Sequence, residues 1–413
     1  MLFLNPLLQG VEKLLFNMHF FYFFVLISVV LSGQYNFKKL DQRIRKFVDD
    51  GELVGIQTKV IKNGKVIHYE NYGYSDIDKK KSLQENSIFR IASITKCIVA
   101  VGIMKLYERD FFKLDDPIEK FIPEFKNPLI YSSEGNLKSA KNSIKIIDLL
   151  RHTTGIGKIH PYLREKYDEL KFDRSFDLKT EVERMSKIPL AAEPGTVWIY
   201  GPSVSIGAYM VEKLTGKKID EYLKNEIFEP LEMVDTFFEV PKEKLQRFTP
   251  LYFSNKKGGF ELIESVDNSP YTKKVTFCNP AGGLVSTMRD VSNFCKMLLN
   301  QGTFNGKRIL EEETVVLMTT DHLNGIKNGT PSDDNHKPNN AMGFGLSFNI
   351  LKNIHNYPYP GSEGSFGWHG SSGPYFKIDP KENMILILLT NMKGWDYSRK
   401  EIFELNTYNV INQ

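Results

Sequence analysis

Apolar residues in the first part of the chain change from a helical to a strand-like spacing. Over residues 36–50 they recur every three to four positions, which is typical of an amphipathic helix. Two runs of strand-like composition follow, joined through Asn63-Gly64, a pair that favours a tight hairpin turn. The pattern therefore predicts a helix followed by a hairpin with strands at Ile56–Ile61 and Val66–Tyr72.

The middle of the chain has a different pattern. Residues 93–108 are largely apolar and predict a buried helix, and Asp115-Asp116-Pro117 then interrupts the pattern. Residues 120–340 alternate between helical patterns and polar loops. Within them, the stretch 322–340 is too polar and too rich in Gly and Pro for a core element.

Strand patterns return near the end of the chain. Tyr375–Ile378 and Met384–Leu389 flank the turn sequence DPKEN, which predicts a second hairpin, and a last helix is expected over 397–410. We therefore predict an α/β (α+β) fold with one antiparallel sheet flanked by helices. About 36–110 and 340–413 would form the sheet and about 120–340 a mostly helical region, all within a single domain over 36–413.

The first 33 residues have the composition of a targeting segment. Phe20–Gly33 is almost wholly apolar and follows Lys13, which fits the core of a signal peptide with a cleavage zone at Ser32 and Gly33. An uncleaved membrane anchor is the alternative, and Met18 is a second candidate start. Both alternatives predict an extracytoplasmic protein, either secreted or periplasmic, or attached to the membrane through its N-terminus.

Composition excludes some functions. Lys and Arg total 54 against 50 for Asp and Glu, which gives no electrostatic case for nucleic-acid binding. The three cysteines argue against a full disulfide framework, and Cys97 and Cys295 fall in apolar runs that predict buried thiols.

No His-Glu-x-x-His is present, and no metal or cofactor is implied. A polar loop holds Asp333, Asp334 and His336, which we expect to be solvated.

The tetrapeptide Ser93-Ile94-Thr95-Lys96 carries the first chemical signal. Serine and lysine three residues apart on a helix share one face, where the amine can assist removal of the hydroxyl proton. Such a Ser-x-x-Lys motif occurs in β-lactamases and penicillin-binding proteins. It also arises by chance, since Ser254 to Lys257 form a second copy in a polar loop. The alternative role for Ser93 is a helix N-cap.

Several further stretches, in a fixed order, resemble one family. They are FRIASITK (89–96), IIDLLRHTTGI (146–156), EPGTVWIYGPSVSIGAYMVEKLTG (193–216), NPAGGLVSTMRDVSNFCKMLLNQG (279–302) and FGWHGSSGPYFKIDPKENMILILLTN (366–391). The chain is similar over nearly all of its length after residue 40 to the class C β-lactamase and penicillin-binding-protein-like serine hydrolases. That family includes esterases and D-alanyl-D-alanine peptidases.

The resemblance implies further site residues. Tyr200 matches the family's catalytic tyrosine, which would share a proton with Lys96, although a packing aromatic is the alternative. Trp368-His369-Gly370 matches the family's third motif, whose residues would bind the substrate. The amides of Ser93 and Ser371 would then form the oxyanion hole. The alternative for this segment is an ordinary Gly-rich turn. Elsewhere, in LLRHTTGI, His152 is expected to help shape a turn by side-chain hydrogen bonding.

Two positions depart from the family pattern. Pro202 stands where the family often has Asn, and Trp368 stands where it often has Lys or His. A register shifted by one residue would bring His369 to that position instead. Because Trp cannot pair with a substrate carboxylate, we expect esterase-like hydrolysis of a small ester, amide or peptide. The rivals are a D-alanyl-D-alanine carboxypeptidase or β-lactamase, and a catalytically silent scaffold.

Overall fold

The computed structural model describes most of the chain after the N-terminal segment. The described residues are 35–132, 135–169, 176–254, 259–330, 337–394 and 398–412. The apolar N-terminal segment, most of the second Ser-x-x-Lys copy, and the Asp333, Asp334 and His336 group therefore lie outside the described residues.

The largest element is an antiparallel sheet with the strand order β14-β15-β16-β17-β18-β1-β2-β3. Strands from the two ends of the chain meet where β1 pairs with β18, which confirms the predicted antiparallel sheet built from both ends. The strands are Gly55–Lys62 (β1), Lys65–Asp76 (β2), Lys81–Ser82 (β3), Met342–Phe344 (β14), Asn349–Leu351 (β15), Phe366–His369 (β16), Tyr375–Asp379 (β17) and Met384–Thr390 (β18).

The two predicted hairpins are present, and local chemistry explains the first. Asn63 and Gly64 both have positive φ, at 50° and 74°, as a two-residue turn with the twist of the flanking strands requires. Lys62 consequently pairs with Lys65. The second hairpin joins β17 to β18, where Asp379 pairs with Met384.

Helices cover both faces of the sheet. The helices are Lys38–Asp49 (α1), Ile94–Glu108 (α2), Ile146–Leu150 (α3), Pro161–Glu169 (α4), Leu178–Met185 (α5), Val204–Thr215 (α6), Ile219–Leu223 (α7), Met288–Leu299 (α8), Glu312–Met318 (α9) and Ser398–Ile411 (α10). A π-helical turn, Lys224–Phe228, follows α7. Among the described residues, no helix has the length and apolarity needed to cross a bilayer.

Side chains that alternate along the central strands separate two hydrophobic cores. Ile387 and Leu389 of β18 point towards the helical region and α2, whereas Leu386 and Leu388 pack with α1 and α10. Because β18 is buried on both faces, its sequence is a continuous apolar run rather than an alternating one. The larger core lies between the sheet and the helical region, and α2 is buried within it on nearly all sides.

The middle region is less purely helical than the sequence predicts. It contains short strand pairs: Phe89–Arg90 (β4) with Val285–Ser286 (β10), Leu129–Tyr131 (β5) with Leu137–Ser139 (β6), Val197–Trp198 (β7) with Lys327–Asn328 (β13), Thr303–Phe304 (β11) with Lys307–Arg308 (β12), and Leu251–Ser254 (β8) with Phe260–Glu264 (β9) and Met392–Lys393 (β19). Most of these strands have two or three residues, which is too short to produce a visible period of two.

Candidate active site

Ser93 and Lys96 lie at the start of α2, immediately after β4 and its pairing with β10. Lys96 Nζ donates to Ser93 Oγ over 3.4 Å. The Ser93 side chain makes no N-cap hydrogen bond, so the simple capping role is not observed. Ser93 is partly exposed, whereas Lys96 is only 5% exposed. The hydroxyl can therefore be reached from solvent while the amine beside it is shielded.

A second contact fixes the Lys96 amine. Lys96 Nζ also donates to the carbonyl of Ala281. The loop that carries Ala281 is tied to the same helix, because Leu284 N donates to Thr95 Oγ1 over 3.1 Å. Ala281 lies in the matched stretch 279–302, for which the sequence indicates no specific role. A backbone carbonyl leaves no side-chain signal, so only the matched stretch as a whole could have indicated it.

Tyr200 follows β7 and brings its ring to the same place. The face of the ring lies 4.8 Å from Lys96 Nζ, measured to the ring centroid. The ring packs edge-on against His152 at 4.8 Å and obliquely against Trp368 at 5.3 Å. Tyr200 is thus partly a packing residue, as the alternative proposed, but one whose ring also contacts the lysine.

Trp368 is the residue that binds the Tyr200 hydroxyl. It lies on β16, is 2% exposed, and donates its indole N–H to Tyr200 Oη over 3.2 Å. When the family motif is aligned on Gly370, Trp368 is the motif residue that contacts the tyrosine. His369 stacks on the indole, with ring centroids 4.9 Å apart. A neutral donor occupies the position where the family often has a cation, so it supplies a hydrogen bond to the phenol without a positive charge.

The turn after β16 is packed directly onto the residues before Ser93. A Cβ on Gly370 would lie 2.8 Å from the Cβ of Ala92 and 2.8 Å from the carbonyl oxygen of Ile91. Ser372 Oγ donates to the Arg90 carbonyl over 3.2 Å. The turn that bears Ser371 is thereby held beside Ser93. Gly370 allows this close contact between the two backbone segments.

Ala92 has a strained backbone next to the candidate nucleophile. Its φ is 44°, a left-handed conformation that costs a residue other than glycine about 1–3 kcal/mol. Such strain persists only where surrounding contacts hold it, and the contact with Gly370 is one of these. The sequence shows no sign of this strain, because alanine has no marked preference for the conformation.

His152 is a buried neutral neighbour of Tyr200. Burial, with a further contribution from the Lys96 charge, holds the pKa of His152 well below its usual value. Its Nδ1 lies 3.0 Å from Ser203 Oγ at the start of α6, and Ser203 Oγ donates to the Leu149 carbonyl. His152 has φ 59° in a turn, as expected, although its side-chain hydrogen bond joins α3 to α6 rather than closing that turn.

This arrangement has the parts that acyl transfer requires. A reachable hydroxyl has an amine within 3.4 Å, and a phenol ring packs against that amine. Two backbone amides, of Ser93 and Ser371, lie in segments packed against each other. Among the described residues, no group of three His, Cys, Asp or Glu side chains is arranged to hold a metal ion.

Comparison with known proteins identifies the family of the chain. A model of the family described as Beta-lactamase matches residues 40–407. The chain belongs to this family. It is therefore a serine hydrolase of the β-lactamase fold, as the resemblance implied, and its relatives include a protein named as an esterase and proteins named as putative D-alanyl-D-alanine carboxypeptidases.

Individual relatives differ in how much of the chain they cover. Protein Rv1367c of Mycobacterium tuberculosis is 30% identical over 361 residues, which cover 84% of this chain and 88% of that protein. Esterase EstB of Burkholderia gladioli is 30% identical over 209 residues, covering 48% and 51% of the two chains. The structure of EstCE1, described as a hydrolase with promiscuous acyltransferase activity, has a TM-score of 0.76 at 22% identity and covers 89% and 97%. That likeness establishes the fold.

Proposed function

We propose that the protein hydrolyses small esters or amides that carry no carboxylate beside the scissile bond, through an acyl-enzyme on Ser93. The observation that carries the proposal is the 3.4 Å contact between Ser93 Oγ and Lys96 Nζ, with the Tyr200 ring packed on the same amine. Neither a packing role nor a capping role for Ser93 needs these three side chains together.

Acylation begins with attack of Ser93 Oγ on the substrate carbonyl carbon. The hydroxyl proton passes to the pair formed by Lys96 and Tyr200, and negative charge develops on the carbonyl oxygen. The amides of Ser93 and Ser371 donate to this oxygen. The bond to the leaving group then breaks, and the leaving oxygen or nitrogen takes the proton from the same pair.

Deacylation repeats these steps with water. A water molecule attacks the acyl carbon and gives its proton to Lys96 and Tyr200, and the bond from the acyl carbon to Ser93 Oγ breaks. Ser93 Oγ then recovers a proton from the pair. No proton, electron or other reactant is left unbalanced, so the chemistry needs only the substrate and water.

The preference for substrates without a carboxylate follows from the neutral side of the site. The buried Trp368 indole offers one N–H, which is already directed at Tyr200, and it has no positive charge for a carboxylate. Pro202 has neither an amide side chain nor a backbone N–H to offer a substrate. The name of Esterase EstB supports hydrolysis of an ester.

The direct test is intact-mass measurement of the purified protein after exposure to activated short-chain esters and to penicillins. We expect an acyl adduct from the esters that disappears in Ser93→Ala. Ser254→Ala is the matched control, because it removes the serine of the other Ser-x-x-Lys copy and should leave adduct formation unchanged. Full ester turnover by Ser93→Ala would refute the mechanism.

The same measurement separates the rivals. Rapid acylation by penicillin, with slow reaction of neutral esters, would favour a D-alanyl-D-alanine carboxypeptidase or β-lactamase. Absence of any adduct, including with fluorophosphonate probes, would favour a catalytically silent scaffold. The departures at Pro202 and Trp368 are the observations that motivate the scaffold rival.

We also propose that the protein works outside the cytoplasm. The support is the apolar run Phe20–Gly33 preceded by Lys13. Fractionation of the source cells followed by N-terminal sequencing tests this directly. A new N-terminus near Gly33 would indicate a cleaved signal peptide, and an intact N-terminus in the membrane fraction would indicate an anchor. Recovery of the full chain in the cytosol would contradict the proposal.

A further inference from the structure

We propose that Thr330, in the polar stretch 322–340, is a positioning residue that aims Tyr200 at the active site. The proposal rests on the proposed function, because it assumes that Tyr200 carries a proton during acylation. Thr330 itself would touch neither the substrate nor the reacting atoms.

The polar stretch forms a parallel strand pair beside the tyrosine. Lys327 and Asn328 of β13 pair with Val197 and Trp198 of β7. The ladder continues beyond the strands, since Gly329 N donates to the Trp198 carbonyl over 2.9 Å. Residues 327–329, whose composition argues against a core element, thus lie against the residues leading to Tyr200.

The next hydrogen bond reaches Tyr200 itself. The Tyr200 backbone N–H donates to Thr330 Oγ1 over 3.0 Å. The residue before it is also held, because Ile199 N donates to the His152 carbonyl over 2.8 Å. Two successive amides are thereby fixed by two different segments, which restricts rotation of the backbone from which the Tyr200 ring projects.

Thr330 is itself held in place from two directions. Its N–H donates to Asn328 Oδ1 over 2.8 Å, which closes a local turn through a side chain. At the neighbouring Gly329, a Cβ would lie 2.4 Å from Val197 Cγ1, so only glycine permits this close approach. Both features fix the position of the Thr330 hydroxyl relative to β7.

Fine positioning matters here because the phenol is at the far end of its side chain. A small backbone rotation at Tyr200 moves the hydroxyl relative to Lys96 and to the Trp368 indole. A misplacement of about 1 Å at a catalytic group can cost on the order of 10²-fold in rate. Loss of one of these two backbone hydrogen bonds should therefore lower the acylation rate clearly while changing the free energy of unfolding little.

The experiment compares Thr330→Val with Thr330→Ser, since only serine keeps the acceptor. Single-turnover acylation of Ser93 by an activated ester is followed by intact mass in the full-length protein. We expect Thr330→Val to acylate about tenfold more slowly, with Thr330→Ser within about twofold of the original rate. The matched control is Thr320→Val, whose hydroxyl donates to the Val316 carbonyl in the same part of the chain, away from Tyr200.

A second arm separates positioning from a general structural effect. In a Tyr200→Phe background, Thr330→Val should add less than about twofold, because its effect acts through the missing phenol. An equal tenfold effect in both backgrounds, or a Thr330→Val rate within twofold of the original, would overturn the proposal. Thermal unfolding of each variant reports whether it folds, and Thr330→Ala replaces the valine variant if that one does not.

The two proposals fail in different ways. If the original protein forms no Ser93 adduct, the proposed function fails and the role of Thr330 falls with it. If the adduct forms and Tyr200→Phe acylates normally, then Tyr200 carries no proton and the positioning role is wrong. If both hold and only Thr330→Val behaves as the original, the hydrolase assignment stands and this inference alone is wrong.

Discussion

Two lysines on opposite faces of the sheet are equally buried and have different surroundings. Lys96 is 5% exposed and Lys377 is 6% exposed. Lys377 Nζ donates to Glu404 Oε2 over 2.8 Å, and Tyr357 and Tyr375 donate to the same carboxylate. Lys96 instead contacts a hydroxyl and a carbonyl, and no ion pair with a carboxylate is found for it in the described ranges.

The difference distinguishes a lysine that stabilises the fold from one that is proposed to take part in the reaction. Lys377, between β17 and α10, is a buried cation neutralised by Glu404, and the same carboxylate accepts hydrogen bonds from two tyrosines. Among the described residues no carboxylate pairs with Lys96, and its amine lies beside the partly exposed Ser93. The first arrangement is a structural ion pair, and the second is the one that the proposed proton transfer requires.

Lys96→Met should have the largest effect, and it should be on activity. Under the proposed mechanism the substitution removes the amine that assists proton transfer, so we expect acylation of Ser93 to fall about 10³-fold. The free energy of unfolding should change by no more than about 1 kcal/mol, because no buried carboxylate loses its partner. Single-turnover kinetics and urea unfolding measure the two quantities.

The control for that variant is Lys105→Met, on the same helix. Lys105 Nζ donates to the Ile309 carbonyl and lies 3.5 Å from a Glu226 oxygen, away from Ser93. Its acylation rate should stay within about twofold of the original. A Lys96→Met protein that acylates normally but unfolds easily would show that Lys96 is a structural lysine like Lys377.

Lys377→Met should have the opposite profile. Removal of the cation deletes the ion pair that Lys377 makes with the buried Glu404 carboxylate, and we expect a loss of about 3 kcal/mol in the free energy of unfolding. The acylation rate of the folded protein should remain within about twofold. The double variant with Glu404→Met should recover part of the stability, and strictly additive losses would contradict the coupling between the two residues.

Glu181 is a buried carboxyl of a third kind, because no cation pairs with it in the part of the chain that the structure describes. Burial raises the pKa of Glu181 to about 8 from its usual 4.5, so the folded protein keeps the carboxyl protonated near neutrality. The unfolded chain releases that proton above its lower pKa. Folding therefore becomes less favourable as the pH rises from about 4.5 to 8.

Glu181→Gln should remove this pH dependence. We expect the variant to gain about 2 kcal/mol of stability relative to the original at pH 8, with little difference at pH 5. Urea unfolding at a series of pH values measures it. The control is Glu183→Gln on the partly exposed side of the same helix, which should keep the original pH profile. Parallel pH profiles for the Glu181 variant and the original would contradict the assignment.

Trp368→Phe should have the smallest of these effects. It removes the indole N–H that binds the Tyr200 hydroxyl while keeping an aromatic ring, and we expect kcat/KM to fall about tenfold. Trp198→Phe is the matched control: its indole nitrogen has no hydrogen-bond partner in the described part of the chain. Equal losses of kcat/KM in the two variants would show that only ring packing matters.

Local sequence patterns are sufficient to predict the elements with long or distinctive spacing. The hairpin at Asn63-Gly64, the apolar helix after Ser93 and the last hairpin follow from turn chemistry and hydrophobic spacing, which are local properties. The proximity of Ser93 and Lys96 could be predicted for the same reason, because a spacing of three on one helix fixes their mutual position. Tyr200, Trp368 and Ser371 were identified only through the order of the matched stretches.

The contacts between distant groups could not be predicted from local patterns and depend on the tertiary fold. The Ala281 carbonyl on Lys96, the Ala92 strain against Gly370 and the Thr330 hydroxyl on the Tyr200 amide join residues far apart in the chain or use backbone atoms. Two-residue strands such as β7 and β13 leave no periodic signal, since their pairing is stabilised by neighbours rather than by their own side chains. Local pattern fixes local geometry, and the approach of separate segments depends on the packing of the whole core.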